Sequence, residues 1–290
     1  MELELEQILY EKSGHIATIT LNRPEKMNSV TKEMFKSWGR AITDAEEDDE
    51  IKVIIMKGAG RCFSAGAPLD QVGYVYGMKE PKPGEKAGKV PLRNKVNFDR
   101  SLFHEFFLKV LNCTKITIAQ LHGYCIGVGY SIAMHADLLI ADENCQIGHV
   151  EERLGVGGMT ITPMMVARCG LTRALELCLT GKMVDGVKAA QYGLINRAVK
   201  LEDLDKEVLE LAEGLSIYPR DGITVGKVTR QLMYENMGIT RGILEQSIMH
   251  TFQTYRTYGP DEYNAFKERR DKGVKAMAHD KHNLFKALDK

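Results

Sequence analysis

Apolar residues along this chain recur with two periods, one of strands and one of helices. Ile8–Tyr10 is a short apolar run, and His15–Leu21 alternates apolar and polar side chains beyond the Ser13-Gly14 turn, so the two predict a hairpin. Asn22-Arg23-Pro24 breaks the pattern. Thr31 can cap a helix carrying Met34, Phe35, Trp38, Ile42 and Ala45 at helical spacing, with the acidic run Glu46–Glu50 at its end. Lys52–Lys57, Ile116–Leu121 and Asp137–Ala141 are short continuous apolar runs, as expected of buried parallel strands. A Gly-rich loop, Gly58–Gly66, follows the first of them; His122–Gly129 and an apolar helix, Tyr130–His135, follow the second. From Ser101 a helical pattern runs through Leu102, Phe106, Val110 and Leu111. Beyond Leu171 the pattern is almost wholly helical: Arg173–Thr180, Asp185–Tyr192, Leu201–Ser216, Gly222–Asn236, Gly242–Thr254 and Pro260–Asp271. Strands alternating with helices indicate an α/β core. Residues 1–200 read as that core and 201–290 as a helical carboxy-terminal region, with no internal repeat and no flexible linker between them. Met78–Arg100, rich in Lys, Pro and Gly in its first part, reads as a mobile surface insertion, either a disordered loop or a lid.

Composition narrows the function. The 290 residues carry 39 Lys+Arg and 39 Asp+Glu, for a formal net charge of +0, so nothing in the bulk electrostatics favours nucleic acid. A 44% apolar and 27% charged chain is globular in composition. No apolar run approaches the roughly 20 residues needed to span a bilayer. Met1–Tyr10 alternates acidic and apolar residues, unlike a secretory or transit signal, so the expected location is cytoplasmic. Cys62, Cys113, Cys125, Cys145, Cys169 and Cys178 are scattered without metal-ligand spacing, which predicts free thiols in a reducing compartment and no structural zinc.

Two loops place bare backbone beside the start of a helix: Phe63-Ser64-Ala65-Gly66-Ala67-Pro68-Leu69-Asp70 and His122-Gly123-Tyr124-Cys125-Ile126-Gly127-Val128-Gly129. Small residues let a ligand approach the main chain, and amides at a helix start carry partial positive charge. Two such amides converging on a carbonyl oxygen make an oxyanion hole; ordinary strand-to-helix turns use glycine for geometry alone. The second loop has no GxGxxG register and no Gly-Lys-Ser/Thr after it, so it is not a phosphate cradle.

With these loops in view, the chain resembles the enoyl-CoA hydratase/isomerase (crotonase) superfamily over nearly its whole length. The matching stretches are Ile19–Asn28, Phe63–Leu69, His122–Asp137, Ile147–Gly155, Leu179–Val199 and Ala265–Arg270. The resemblance implies a spiral of ββα repeats, a helical trimerisation region, a homotrimer or homohexamer, acyl-CoA thioester substrates, and neither metal nor redox cofactor. By position, it makes the amides of Ala67 and Val128 the oxyanion donors and Glu151 the acid/base. Val128 stands in the middle of what is usually Gly-Gly-Gly. The superfamily's hydratases use two glutamates; Ser131 occupies the place of the first, where it could position water. One carboxylate fits proton shuttling between carbons, as in enoyl-CoA isomerases, and also cleavage of a β-keto or cyclic acyl-CoA, with Ser131 or His122 positioning water. Hydration with an atypical second site stays open, as does a catalytically inert acyl-CoA-binding or RNA-binding relative.

Around these residues, the resemblance places Lys26, Met27, Ser29, Ala65 and Leu69 beside the CoA, and Phe266 and Arg269 at its carboxy-terminal contact, often supplied by a neighbouring subunit. Tyr74, with Tyr76, follows the first loop and would touch the acyl group. His149 can line the pocket, although a packing or surface role is the simpler reading. Glu152 is expected to pair with Arg153 or face solvent, because adjacent residues usually point apart. His122 is expected to anchor its loop, His135 to be a satisfied core histidine, and Asp70 to support the start of a helix.

Overall fold

The computed structural model describes residues 3–71, 90–154, 162–255 and 257–289. Strands β1 (Ile8–Ser13) and β2 (Ile16–Leu21) form the expected antiparallel hairpin, with Ile8 opposite Leu21. The remaining strands of the main sheet are parallel: β3 (Val53–Gly58), β4 (Ile116–Leu121), β6 (Leu138–Asp142) and β8 (Arg197–Val199), in the order β1-β2-β3-β4-β6-β8. Their continuous apolar runs serve two faces. In β3, Ile54 and Met56 join the larger core, while Val53 and Ile55 point to the opposite face. Each face must therefore be covered, as parallel sheets require.

Helix α1 (Lys32–Glu47) covers the first face. Thr31 Oγ1 accepts from the Met34 N–H at 3.1 Å, capping the helix, and Met34, Trp38, Ala41, Ile42 and Ala45 are buried along one stripe. Trp38 meets Phe63 and Phe106 edge-on, with ring centroids 6.4 and 5.3 Å apart. Helix α7 (Leu201–Leu215) covers the other face with Leu204, Val208 and Ala212, one per turn; burying Leu204 and Val208 contributes about 1.5–3 kcal/mol each.

A second, two-stranded sheet pairs β5 (Tyr124–Ile126) with β7 (Gln146–Gly148) in parallel, and Ser64 joins β5 through a parallel bridge to Cys125. Helix α4 (Val128–Ala133) follows β5, and α6 (Gly186–Gln191) follows Val184, which bridges to Ile147 of β7. Three main-sheet strands, β3, β4 and β6, thus each feed a short strand or bridge and then a turn. The stack of short strands gathers those turns at one end of the spiral.

Several sequence boundaries move. Of the insertion read at 78–100, residues 78–89 lie outside the described residues, but Leu92–Arg100 is a helix, α2, and not a mobile excursion. Its Lys95 and Asp99 are buried. Asp99 Oδ2 accepts from Thr251 Oγ1 at 2.6 Å, and Asp99 Oδ1 lies 3.0 Å from His250 Nδ1, both on α9 (Ile239–Thr254). This buried polar docking is invisible to a reading by apolar period. Ser101–Phe107 continues α2 as π-helix into α3 (Leu108–Asn112). The helix read from Arg173 begins at Pro163 in α5 (Pro163–Thr180), capped by Thr162 and interrupted at the non-helical Gly170. Helices α8 (Arg220–Asn236), α10 (Ala265–Lys272) and α11 (Val274–Phe285) complete the carboxy-terminal part. All six cysteines are free, and five are buried.

Candidate active site

The two Gly-containing loops meet. Phe63 N–H donates to His122 O at 2.8 Å, Ser64 N–H to Tyr124 O at 2.9 Å and Ile126 N–H to Ser64 O at 3.1 Å, so the first loop runs as a strand beside β5. Gly127 N–H then donates to Gly148 O at 3.1 Å, tying the second loop to the end of β7. Gly66 and Gly127 both adopt left-handed backbone, with φ of 84° and 60°. A Cβ placed on Gly127 would lie 2.5 Å from Glu151 Oε1 and 3.5 Å from Gly66 Cα. Gly127 is therefore the thin wall between the first loop and the Glu151 carboxylate. Ala67 and Val128, the residues after the two glycines, have N–H groups without a protein acceptor among the described residues. Ala67 is exposed, and Val128 is the first residue of α4.

This packing makes Gly127 a test of the site. Gly127→Ala is expected to lower kcat about 100-fold, because the methyl occupies the place of Glu151 Oε1 and a shift of about 1 Å in a reacting group costs that much. The left-handed backbone adds about 1–2 kcal/mol of strain. Steady-state kinetics together with a melting curve separate the two effects.

The loop around Gly58–Ser64 is held by a residue that the sequence reading passed over as a contributor. Buried Asn28 donates through Nδ2 to Ala59 O and Cys62 O at 2.8 Å each and accepts from Arg23 N–H at 2.8 Å; Ser64 Oγ donates to Asn28 O at 2.8 Å. An asparagine in the irregular stretch after Pro24, where the backbone needs partners, is the signal that could have found it. Along the same segment Lys26 is exposed, Met27 O accepts from Ala65 N–H at 2.9 Å, and buried Ser29 accepts through Oγ from Arg23 Nη1 at 3.0 Å. Lys26, Met27, Ser29 and Ala65 thus form one contiguous rim.

The carboxy-terminal helices reach this rim from the same chain. Arg269 Nη1 donates to Leu69 O, and Leu69 packs against the cluster of Leu154, Ala265 and Met277. Asp70 stands in a turn, and the residues from 72, where the helix it was expected to support would begin, lie outside the described residues. Tyr74 and Tyr76 lie outside the described residues, as does the side chain of Phe266, whose backbone belongs to α10.

The acidic turn Glu151–Leu154 departs from expectation. Glu152 is not paired with Arg153 and does not face solvent: it is buried, and both its oxygens face His149 Nδ1, at 2.9 and 3.0 Å. Arg153 turns away, donating to Thr180 O at 2.8 Å and pairing with Asp289. His149 Nε2 lies 3.5 Å from Glu151 Oε2. Burial works against a charged His149, but the Glu151 charge and the Glu152 hydrogen bond outweigh it, and its pKa is raised to about 9. His149 is thus an imidazolium between two carboxylates at neutral pH. Donor atoms of His149, Glu151 and Glu152 lie within 4.8 Å of one another, with the ring hydrogen-bonded to Glu152 through Nδ1 and paired with Glu151 across Nε2.

The other polar candidates stand where loop and core roles put them. Ser131 Oγ donates back to Gly127 O at 3.2 Å within its own helix. His122 Nε2 meets Gly60 O at 2.9 Å, which anchors the loop. His135 is buried, 2.6 Å from Ser131 O and stacked on Phe107; burial pushes its pKa down to about 4, so it stays neutral.

A parallel sheet whose two glycine turns stack on each other, with Glu151 against one of them, defines an α/β protein with its loops gathered beside that carboxylate. A family model described as "Enoyl-CoA hydratase/isomerase" matches residues 11–275, and the chain belongs to that family. "Probable enoyl-CoA hydratase, mitochondrial" of Dictyostelium discoideum is 29% identical over 263 residues, covering 90% of this chain and 87% of that protein. The "Short-chain-enoyl-CoA hydratase" of Clostridium acetobutylicum is 30% identical over 212 residues, 72% of this chain and 75% of that protein. Among solved structures, an enoyl-CoA hydratase/isomerase from Xanthobacter autotrophicus Py2 superposes with a TM-score of 0.78 at 26% identity, covering 97% of this chain and 99% of that one. An enoyl-CoA hydratase from Mycobacterium smegmatis, at 24% identity, shares the fold with a TM-score of 0.82 over 97% of this chain and 94% of its own. The protein is an enzyme of the enoyl-CoA hydratase/isomerase superfamily. No helix among the described residues is long and apolar enough to cross a membrane.

Proposed function

We propose that the enzyme converts an acyl-CoA thioester, holding its carbonyl oxygen between the Ala67 and Val128 amides while Glu151 moves one proton. The observation that carries this reading is Gly127, packed between Gly66 and Glu151 Oε1. That packing supports the reading, because Ala67 and Val128 directly follow Gly66 and Gly127, and Glu151 Oε1 lies beside Gly127. Removing a proton from the carbon next to the thioester leaves negative charge on the carbonyl oxygen, and fixed N–H donors stabilise that oxyanion more than the ground state. Lys26, Met27, Ser29, Ala65 and Leu69 would flank the CoA, with Arg269 closing it from the carboxy-terminal helices of the same chain. The chemistry needs no metal or redox cofactor.

The reaction this favours is enoyl-CoA isomerisation or a related single-carboxylate step. Ser131 cannot serve as a carboxylate base, and its hydroxyl donates to its own helix. The names of the relatives favour hydration as the second reading, with a β-keto or cyclic acyl-CoA hydrolase as the third. Purified protein incubated separately with crotonyl-CoA, trans-3-hexenoyl-CoA and a cyclic β-keto acyl-CoA distinguishes them by mass and chromatography. We expect the trans-3-enoyl thioester to keep its mass and change its retention. A gain of one water on crotonyl-CoA alone would replace isomerisation with hydration, and binding with no altered thioester would remove the catalytic assignment. The same reading includes a homotrimer or homohexamer, supported by exposed apolar side chains such as Val225, Leu232, Met249 and Phe252 on α8 and α9.

A further inference from the structure

We propose that His149, clamped by Glu152, is a positioning residue that fixes which oxygen of Glu151 meets the acyl group. The inference rests on the reading of Glu151 as the proton-moving group and adds to it a device that the missing second glutamate does not supply.

The geometry divides the Glu151 carboxylate in two. Oε2 accepts from the Val150 N–H at 3.0 Å and faces His149 Nε2 at 3.5 Å. Oε1 lies against Gly127, the residue before Val128. One oxygen is held by the protein and the other is presented to the site. His149 can hold Oε2 only while its ring is itself held, and Glu152 does that: its side chain is 4% exposed, and its oxygens lie 2.9 and 3.0 Å from Nδ1. The arrangement is carboxylate, imidazole, carboxylate, in which the buried acid orients the ring and the ring orients the working acid. A neutral imidazole has one N–H, which Glu152 takes; the imidazolium adds a positive charge that attracts Glu151 Oε2, 3.5 Å from Nε2. A bare carboxylate at Glu152, out of water, is costly without that donor.

The surroundings keep the charge on His149. Besides Glu151 and Glu152, the groups that face the cluster are Cys178 on α5, whose Sγ is 3.8 Å from Glu152 Oε1, and Tyr130 on α4, whose ring lies 6.4 Å from the imidazole. Burial pushes the Cys178 thiol up to about 12 and the Tyr130 hydroxyl well above its ordinary value, so both stay neutral. Arg153 points to Thr180 O and Asp289 and does not compete. The imidazolium is therefore present below about pH 9 and lost above it. As it deprotonates, the charge that holds Oε2 beside the ring is lost, Oε2 is released and Oε1 loses its aim.

The test uses the full chain with trans-3-hexenoyl-CoA. In the wild type, kcat is expected to fall as pH rises through about 9 while KM changes little. His149→Gln is expected to lower kcat about 100-fold, the cost of a carboxylate displaced by about 1 Å, and to lose the basic limb entirely. Glu152→Gln is expected to move that limb to lower pH, because the imidazolium loses a charged partner. A residue that merely filled space would leave the limb in place. Ring ¹⁵N spectra of the wild type, with the His149 signal assigned by its loss in His149→Gln or in His149→Phe, supply a readout independent of turnover: both nitrogens are expected to carry protons at pH 7.5. A neutral imidazole at that pH, or an unaltered pH profile in His149→Gln alongside a strong loss in Glu151→Gln, would overturn this inference alone. Full turnover in Glu151→Gln would remove the reading beneath it as well.

Discussion

Glu151→Gln is expected to lower kcat by about 10²–10⁴, the usual contribution of a general acid/base, with KM and melting temperature close to wild type. The amide has the shape of the carboxylate but cannot take up a proton. The Val150 N–H at 3.0 Å still finds an oxygen acceptor, so the turn keeps its backbone. Glu151 is 29% exposed, and the ion pair it forms with His149 at 3.5 Å is partly solvated, so its loss moves stability by little. The two donor amides are backbone groups and survive the substitution, which leaves thioester binding and the residual rate that oriented amides provide. Deuterium exchange from solvent into the acyl chain reports the proton transfer directly, and thermal melting checks the fold. Exchange at the wild-type rate in a folded variant would show that another group moves the proton.

Such a substitution could be named from the sequence because Glu151, Ala67 and Val128 sit in stretches with recognisable order. Apart from the three-residue β8, the main-sheet strands were equally legible, since Lys52–Lys57 and Ile116–Leu121 are largely continuous apolar runs. The short strands were not. Tyr124–Ile126 and Gln146–Gly148 have three residues each, too few for a period, and their pairing brings together loops far apart in sequence. That pairing is what builds the site. Glu152 was misplaced for a related reason: the rule that neighbours point apart is right, but it does not say which neighbour points inward. The His-x-x-Glu spacing from His149 to Glu152 was the available signal, because a tight turn brings residues three apart together. Helix α2 was hidden by composition. A buried Lys95 and Asp99 read as surface until Asp99 is seen to pair with Lys95 and to meet His250 and Thr251 of α9.

The largest loss of stability is expected from Asp137→Ala, outside the site. Asp137 stands just before β6 and is 6% exposed; its Oδ2 accepts from Thr117 N–H at 2.8 Å and lies 2.6 Å from Lys227 Nζ, and its Oδ1 lies 3.0 Å from Arg230 Nη1. Thr117 is on β4, and Lys227 and Arg230 are on α8, so one carboxylate joins two strands to a helix. Lys227 is 2% exposed, and removing its counter-charge leaves a buried ammonium unpaired with Arg230 close by. Breaking such a pair from one side costs about 3–5 kcal/mol. Lys227→Met should cost much less, because Asp137 keeps Arg230 and the Thr117 donors while a flexible apolar chain fills the space. Urea unfolding at a fixed protein concentration measures both, with a constant m-value as the check that only stability has changed. The asymmetry is the decisive result: equal losses from the two substitutions would mean that packing, not the uncompensated charge, holds α8 against the sheet.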